Sequence, residues 1–288
     1  RLQLEEMEGY TLDKGSAFKE LCLDAALKVQ NGQRGYGILC DNRIGRSALH
    51  RATGSGLWIG RPTELPGSRP IEFEPELGED LGRLREWARE NVVKLLVFCH
   101  PDDDEKTAKM QVARVKRLFT AARRNGLEFL LEIIPSKVGP VDDDTSATLI
   151  QTFYDAGVYP DWWKLEPFKT DAAWENAVAA IERNDPRTRG IVVLGLDAPE
   201  AELAASFALA ALGIALVLLI VARDPRRALS ALEKASPARL LLGSSRPVGR
   251  IAVVVGYRDA SRFAQHFRRR FGLSPRAYRR RFGGCWWS

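Results

Sequence analysis

Six short apolar runs, each followed by a polar stretch, constrain this chain more than any other feature. They fall at 35–41, 57–62, 92–98, 128–134, 162–166 and 190–197. Each is close to continuous in apolar residues instead of alternating, which is how a parallel strand covered on both faces reads. Between them, 104–125 and 145–156 carry helical periodicity. The triplets Asp102, Asp103, Asp104 and Asp142, Asp143, Asp144 stand where N-caps belong and where carboxylates favour the helix dipole. A metal-cluster reading of these triplets is the alternative; caps are preferred, and no metal is expected. Strand and helix in alternation make an α/β fold, with an open doubly wound sheet and a barrel as the two choices. No glycine-rich phosphate loop follows any run, which disfavours a dinucleotide-binding fold.

Polar residues gather at the carboxyl ends of these runs: Asp41 and Arg43, Arg61, His100 with its aspartates, Glu166, and Asp197. In barrels and open α/β sheets alike, that end carries the chemistry. Within Asp161-Trp162-Trp163-Lys164-Leu165-Glu166-Pro167, a period of two puts Lys164 and Glu166 on one face and Trp163 and Leu165 on the other. Burial disfavours a charged amine, and a neutral amine is a nucleophile. Lys164 therefore reads either as a Schiff-base nucleophile or as a salt-bridged structural lysine, and the segment alone leaves both open.

With 288 residues, 45% hydrophobic and 28% charged, the chain can bury a substantial core as one large or two smaller domains. Cys22, Cys40, Cys99 and Cys285 are scattered without a CxxC pair, and the chain has three histidines. A zinc site or disulfide framework is not expected, and a reducing cytoplasm is the natural compartment. The chain opens at Arg1 with no secretory signal, as a fragment would. Residues 203–222 are almost wholly apolar and flanked by arginines. They fit either a transmembrane helix or a buried helix followed by an apolar strand at 213–221; the second is preferred, so a membrane is not expected as a partner. The net charge of +6 hides an asymmetry: residues 236–288 hold twelve arginines, no lysine and one acid, Asp259. Such a block suggests an anionic partner, nucleic acid or acidic lipid, for that segment.

The runs Gly35 to Asp41, Leu57 to Pro62, Glu64 to Pro70, His100 to Asp104 and Trp162 to Pro167 together resemble the 5-dehydro-2-deoxyphosphogluconate aldolase domain of inositol catabolism, often fused to a sugar kinase. That domain is similar to class I aldolases of the tagatose-bisphosphate type, and the resemblance covers residues 1–210. It implies a (β/α) TIM barrel and cleavage of 5-dehydro-2-deoxy-D-gluconate 6-phosphate to dihydroxyacetone phosphate and malonate semialdehyde. It also implies Lys164 as the Schiff-base lysine, Lys94 as a second active-site lysine, Glu132 as the proton-transferring carboxylate, and no cofactor. Glu166 completes the catalytic set, while Asp41, Arg43, Arg61 and Asp197 are the candidate substrate-orienting groups. A second ammonium depresses the nucleophile's pKa, and a carboxylate moves protons through carbinolamine and enamine steps. The barrel is expected to be incomplete, because the chain starts after the family's first strand and no final strand is recognisable after Ala210. Six strands with two open edges remain, which a second copy of the chain is expected to cover.

The tail resembles something unrelated. Pro247 to Ala252, Val255 to Tyr257, Ser261 to Phe263 and Phe267 to Arg279 are similar to the second helix-turn-helix of AraC-type transcription regulators. Ala260, Phe263, Ala264, Phe267 and Phe271 form one apolar stripe at helical intervals, leaving Arg262, Gln265, His266 and Arg269 outward. Gly256 permits the preceding turn, and the helix opens near Asp259. The resemblance implies DNA as a partner, with Arg258, Arg262 and Gln265 at base edges and Arg268, Arg269, Arg276 and Arg279 on phosphates. The expected organisation is an aldolase-like domain at 1–210, a junction at 211–235 and an arginine-rich helix-turn-helix at 236–288. The leading expectation is the aldolase; the alternative is an AraC-type regulator whose barrel senses a sugar phosphate without turning it over. A chimeric or frameshifted product is a third reading of the abrupt change near residue 210.

Overall fold

The computed structural model describes residues 11–33, 35–194, 247–254, 259–271 and 273–282, without the side chains of 253, 254, 266, 269–271, 281 and 282. The chain divides into two compact units, one of 1–140, 152–164 and 187–192, the other of 141–151, 165–186 and 193–288.

The first unit is built on parallel strands β1 (Gly37–Leu39), β2 (Trp58–Pro62), β3 (Asn91–Val97), β4 (Glu128–Ile133), β5 (Trp162–Leu165) and β6 (Gly190–Val193), ordered β1-β2-β3-β4-β5-β6. All six expected runs are strands; β6 ends at Val193, and Asp197 lies outside the described residues. Parallel register pairs Pro62 with Lys94, Lys94 with Leu130, and Glu132 with Lys164. Period two then assigns Trp58, Gly60 and Pro62, Val92, Lys94 and Leu96, Leu130 and Glu132, and Trp162 and Lys164 to one face. The opposite face carries Val93, Leu95, Val97, Phe129, Leu131, Ile133 and Trp163, each fully buried.

The sheet curls. The rings of Trp58 on β2 and Trp162 on β5 meet edge to face with centroids 5.9 Å apart, although two strands lie between them. Flat strands spaced about 4.8 Å apart would hold β2 and β5 about 14 Å from each other. The inner face is therefore concave, and the architecture is a parallel α/β half-barrel. A TIM-barrel-like fold fits it coarsely. Gly60 is part of the reason β2 can bend inward, since a Cβ there would meet Leu39 Cδ2 at 2.4 Å and the Trp58 ring at 3.1 Å.

Helix α1 (Leu12–Gln30) precedes the sheet, capped by Thr11, whose hydroxyl accepts from Lys14 N at 3.3 Å, and ended by Asn31 in the left-handed region. With α2 (Arg46–Ala52), it closes a core of Leu23, Ala48, Leu49, Ala52, Leu57 and Ile59. Helix α3 (Glu105–Arg124) starts at Asp104, whose carboxylate accepts from Thr107 N at 3.0 Å. Val115, Leu118 and Ala122 form its buried stripe, and Phe119 meets Phe129 of β4 at 5.7 Å. Trp163 donates from Nε1 to the Tyr154 hydroxyl at 2.9 Å, so this buried indole is satisfied.

The second unit contains the start of α4 (Thr145–Asp155), α5 (Asp171–Asn184) and the C-terminal helices α6 (Val248–Val254), α7 (Ala260–Phe271) and α8 (Pro275–Phe282). Asp142 caps α4, accepting from Thr145 N at 2.8 Å and Asp144 N at 3.1 Å. Thr170 caps α5 through Ala173 N at 3.2 Å. Both aspartate triplets thus serve as helix starts.

Candidate functional site

Lys94, Glu132 and Lys164, inner-face residues of three successive strands, form one cluster of ion pairs. Lys164 Nζ lies 2.8 Å from Glu132 Oε1, and Lys94 Nζ lies 2.9 Å from Glu132 Oε2. Glu132 therefore bridges the two ammonium groups with its two oxygens. A fourth member was missed by the sequence reading: Glu64, just past β2, takes Lys94 Nζ on Oε1 at 2.6 Å and the Leu96 N–H on Oε2 at 3.2 Å. Its position is fixed by Thr63, whose N–H and hydroxyl both donate to Lys94 O, at 3.0 and 2.8 Å. Glu64 lies thirty residues from Lys94 in sequence and outside any strand pattern. The signal that leads to it is indirect: a buried lysine already facing one carboxylate needs no second one unless another charge must be balanced.

The four side chains are almost closed to solvent, at 6% exposure for Lys94, 10% for Glu64, 3% for Glu132 and 10% for Lys164. Two cations face two anions, so the cluster is neutral. Burial pushes the Glu132 carboxyl up, but Lys94 and Lys164 outweigh it and hold the group below the usual carboxylate range. Burial pushes the Lys94 ammonium down, but Glu64 and Glu132 outweigh that and hold it above the usual lysine range. Lys94 is consequently a fixed cation. Lys164 differs in that it also lines a cavity of about 420 Å³ walled by Tyr36, Ile38, Trp58, Leu130 and Trp162. The amine with access to a ligand is the one at the cavity wall.

The other expected residues separate. Glu166 follows the end of β5 and is partly buried. Asp41 is a loop organiser: its Oδ1 accepts from Ile44 N at 2.7 Å, Arg43 N at 3.0 Å and Gly45 N at 3.4 Å, with Lys19 Nζ at 3.7 Å from Oδ2. Burial raises its carboxyl, yet those N–H groups and Lys19 hold it below the usual range. Arg43 is exposed on the same loop. Arg61 does not join the lysine cluster. It pairs in register with Val93, putting it on the outer face, where its guanidinium lies 3.7 Å from the Trp87 ring centroid. By the strand period Gly60 and Pro62, not Arg61, look inward. His100, at the carboxyl end of β3, accepts from Asp102 N on Nδ1 at 3.2 Å, so its Nε2–H donates to Pro140 O at 2.8 Å and ties two loops together.

In the C-terminal helices, Phe263 and Phe267 are buried with rings 5.6 Å apart, and Phe267 meets Tyr278 of α8 edge to face at 5.3 Å. Ile251 and Ala252 of α6 are fully buried. This is the expected stripe, although Ala260 is exposed and the Phe271 side chain is outside the described residues. Asp259 opens α7 by accepting from Ser261 N at 2.8 Å, and Ser274 caps α8 through Ala277 N at 3.3 Å. Arg262, Gln265 and Arg268 are exposed on α7 and Arg276 on α8, while Arg279 is half-buried, its guanidinium pKa lowered by that burial. Arg258 and the Arg269 side chain lie outside the described residues. So does the apolar stretch 203–222; among the described residues no helix is long and apolar enough to cross a membrane.

Two stretches of the chain match known family models. Residues 224–281 match a helix-turn-helix domain, supporting the AraC-type reading of α6 to α8 and DNA as a partner. No curated protein matches the chain. Residues 1–221, more than half of the chain, match the model of one bacterial family. The chain belongs to the family described as "Uncharacterized protein conserved in bacteria (DUF2090)".

Proposed function

We propose that the chain is a DNA-binding transcription regulator in which α7 reads a duplex and the half-barrel binds a small carbonyl ligand at Lys164. The observation that carries the first half is the sidedness of α7: Phe263 and Phe267 are buried, while Arg262 and Gln265, three residues apart, are exposed together. Three-residue spacing puts two side chains on one helical face. Arg and Gln are the residue types that read guanine and adenine edges in the major groove. Arg268 and Arg276 supply phosphate contacts that position the helix without reading sequence. Selection from a random duplex pool, followed by anisotropy titration of the winner, tests this. A preferred duplex is expected, with preference lost in the double variant Arg262→Ala, Gln265→Ala. Equal affinity for selected and random DNA would sink the reading.

A second reading rests on the cluster itself, as a class I aldolase acting on a phosphorylated keto-sugar acid such as 5-dehydro-2-deoxy-D-gluconate 6-phosphate. In it Lys164 passes a proton to Glu132 across their 2.8 Å contact, and the free amine adds to the ligand carbonyl. Loss of water from the carbinolamine leaves an iminium. Glu132 gives its proton to the departing water and then takes the proton of the hydroxyl on the carbon being released, while the iminium withdraws the electron pair of the breaking carbon–carbon bond, giving an enamine and malonate semialdehyde. Protonation of the enamine and hydrolysis return dihydroxyacetone phosphate and the free lysine. Lys94 keeps Glu132 ionised between proton transfers. Borohydride with dihydroxyacetone phosphate is expected to trap a reduced adduct that peptide mass spectrometry places on Lys164. A folded protein that traps none sinks both the aldolase and the covalent form of ligand sensing.

A further inference from the structure

Arg61 and Asn91 lie on the outer face of the sheet, away from the lysine cluster. Arg61 Nη1 donates to Asn91 Oδ1 at 3.2 Å. A guanidinium has no acceptor, so the Asn91 atom it meets is the oxygen, and the amide nitrogen is fixed on the other side. That nitrogen and Arg61 Nε are both buried without a hydrogen-bond partner, and Asn91 is 2% exposed. Buried donors are nearly always satisfied, so two orphan donors on one linked pair mark a place for an acceptor. Trp87, stacked on the guanidinium, prevents Arg61 from swinging out to water.

Both residues line a cavity of about 480 Å³, with Arg46, His50 and Arg83 exposed around it. Three arginines outnumber the two carboxylates there, Glu76 and Glu86, and Glu76 already accepts from Asn42 Nδ2 at 2.8 Å. Burial of Arg61 pulls its pKa down to about 10, the response of a cation lacking a full counter-charge. The space exceeds that of a bare tetrahedral anion. We propose that this cavity is an oxyanion site for a phosphate group carried on a small metabolite, held by Arg61 Nε–H and Asn91 Nδ2–H and neutralised by Arg46 and Arg83. It is separate from Lys164, so it stands or falls independently of the trapping experiment.

The full chain is titrated with inorganic phosphate and with glycerol 3-phosphate, following tryptophan fluorescence and, in parallel, heat of binding. The chain has seven tryptophans, so the difference between wild type and Trp87→Phe isolates the cavity from phosphate bound by the arginines of the C-terminal helices. A saturable signal is expected that vanishes in Trp87→Phe, with tighter binding of the ester than of free phosphate. Asn91→Asp keeps an oxygen toward Arg61 and replaces the orphan donor by an anion; its Kd rises by about tenfold or more, the size of a lost charge-assisted hydrogen bond. Arg83→Ala, at an exposed position that leaves the fold intact, weakens binding by about threefold. The proposal is overturned by the absence of a saturable wild-type signal, or by equal affinity in wild type, Asn91→Asp and Arg83→Ala.

Discussion

Replacing Glu132 by Gln is the sharpest perturbation of the half-barrel, because this one carboxylate faces both Lys94 and Lys164. The substitution keeps the shape and removes one negative charge, turning a neutral cluster of two cations and two anions into one with an excess cation. Lys94 retains Glu64 at 2.6 Å, so the excess falls on Lys164, which is 10% exposed. Removing one partner of a buried pair costs about 3 kcal/mol or more. For a domain of this size that lowers Tm by roughly 6–12 °C. The companion variant Glu132→Gln, Lys164→Met deletes the stranded cation and leaves the Lys94–Glu64 pair intact. It is expected to be more stable than Glu132→Gln alone, a reversal that simple loss of packing does not produce. The pH profile adds a second criterion. Glu132 is held below the usual carboxylate range, so its contribution is present above the unfolded value of about 4.3 and is lost as pH falls through the folded one. Lys94 is held above the usual lysine range, so its contribution is full below about 10.4 and disappears as pH rises through its folded value. Wild-type stability should therefore plateau between about pH 5 and 10, and Glu132→Gln should lower that plateau and flatten its acid limb. Urea unfolding followed by circular dichroism measures all three proteins. If Glu132→Gln matches wild type, or if the double variant is no better than the single one, the cluster is not the closed unit described.

Three further outcomes are expected. Arg268→Ala should weaken DNA binding similarly for all sequences and reduce the slope of log K against log salt by about one, which anisotropy at several salt concentrations measures. Gly60→Ala should cost about 1 kcal/mol by urea titration, because the added methyl meets the Trp58 ring at 3.1 Å, whereas the 42% exposed Leu39 can turn its Cδ2 aside. Cys22, which is exposed, should react with a maleimide under native conditions well before Cys40 and Cys99; both are buried, and burial pushes the Cys40 thiol up to about 11 and the Cys99 thiol higher than its ordinary value.

The strands were legible because a parallel strand covered on both faces spells itself out as a continuous apolar run, and β3 and β4 are the clearest cases. Lys94 and Glu132 came from the resemblance alone, whereas Lys164 was legible because charge inside such a run demands a partner. Glu64 was not, since only the register of Pro62 against Lys94 brings the end of β2 beside the middle of β3. The face that Arg61 takes was not legible for a related reason. Both faces of β2 are substantially buried, so alternation names two faces without telling which one curls inward. Helix α1 also escaped, because its pattern is weak: Leu12, Phe18, Leu21 and Val29 are exposed apolar residues that blur the periodicity. The phenylalanine stripe of α7, by contrast, stood out against a background of arginine.

The order of the strands carries a consequence for how the molecule is made. From β2 to β6 each strand pairs with the one just before it in the chain, so its partner is already synthesised when it emerges. As the chain leaves the ribosome, every new run finds an edge already prepared, and the curl grows one strand at a time. The lysine cluster is assembled on this schedule too: Glu64, Lys94, Glu132 and Lys164 emerge as anion, cation, anion, cation. Within this cluster no two charges of the same sign are added in succession.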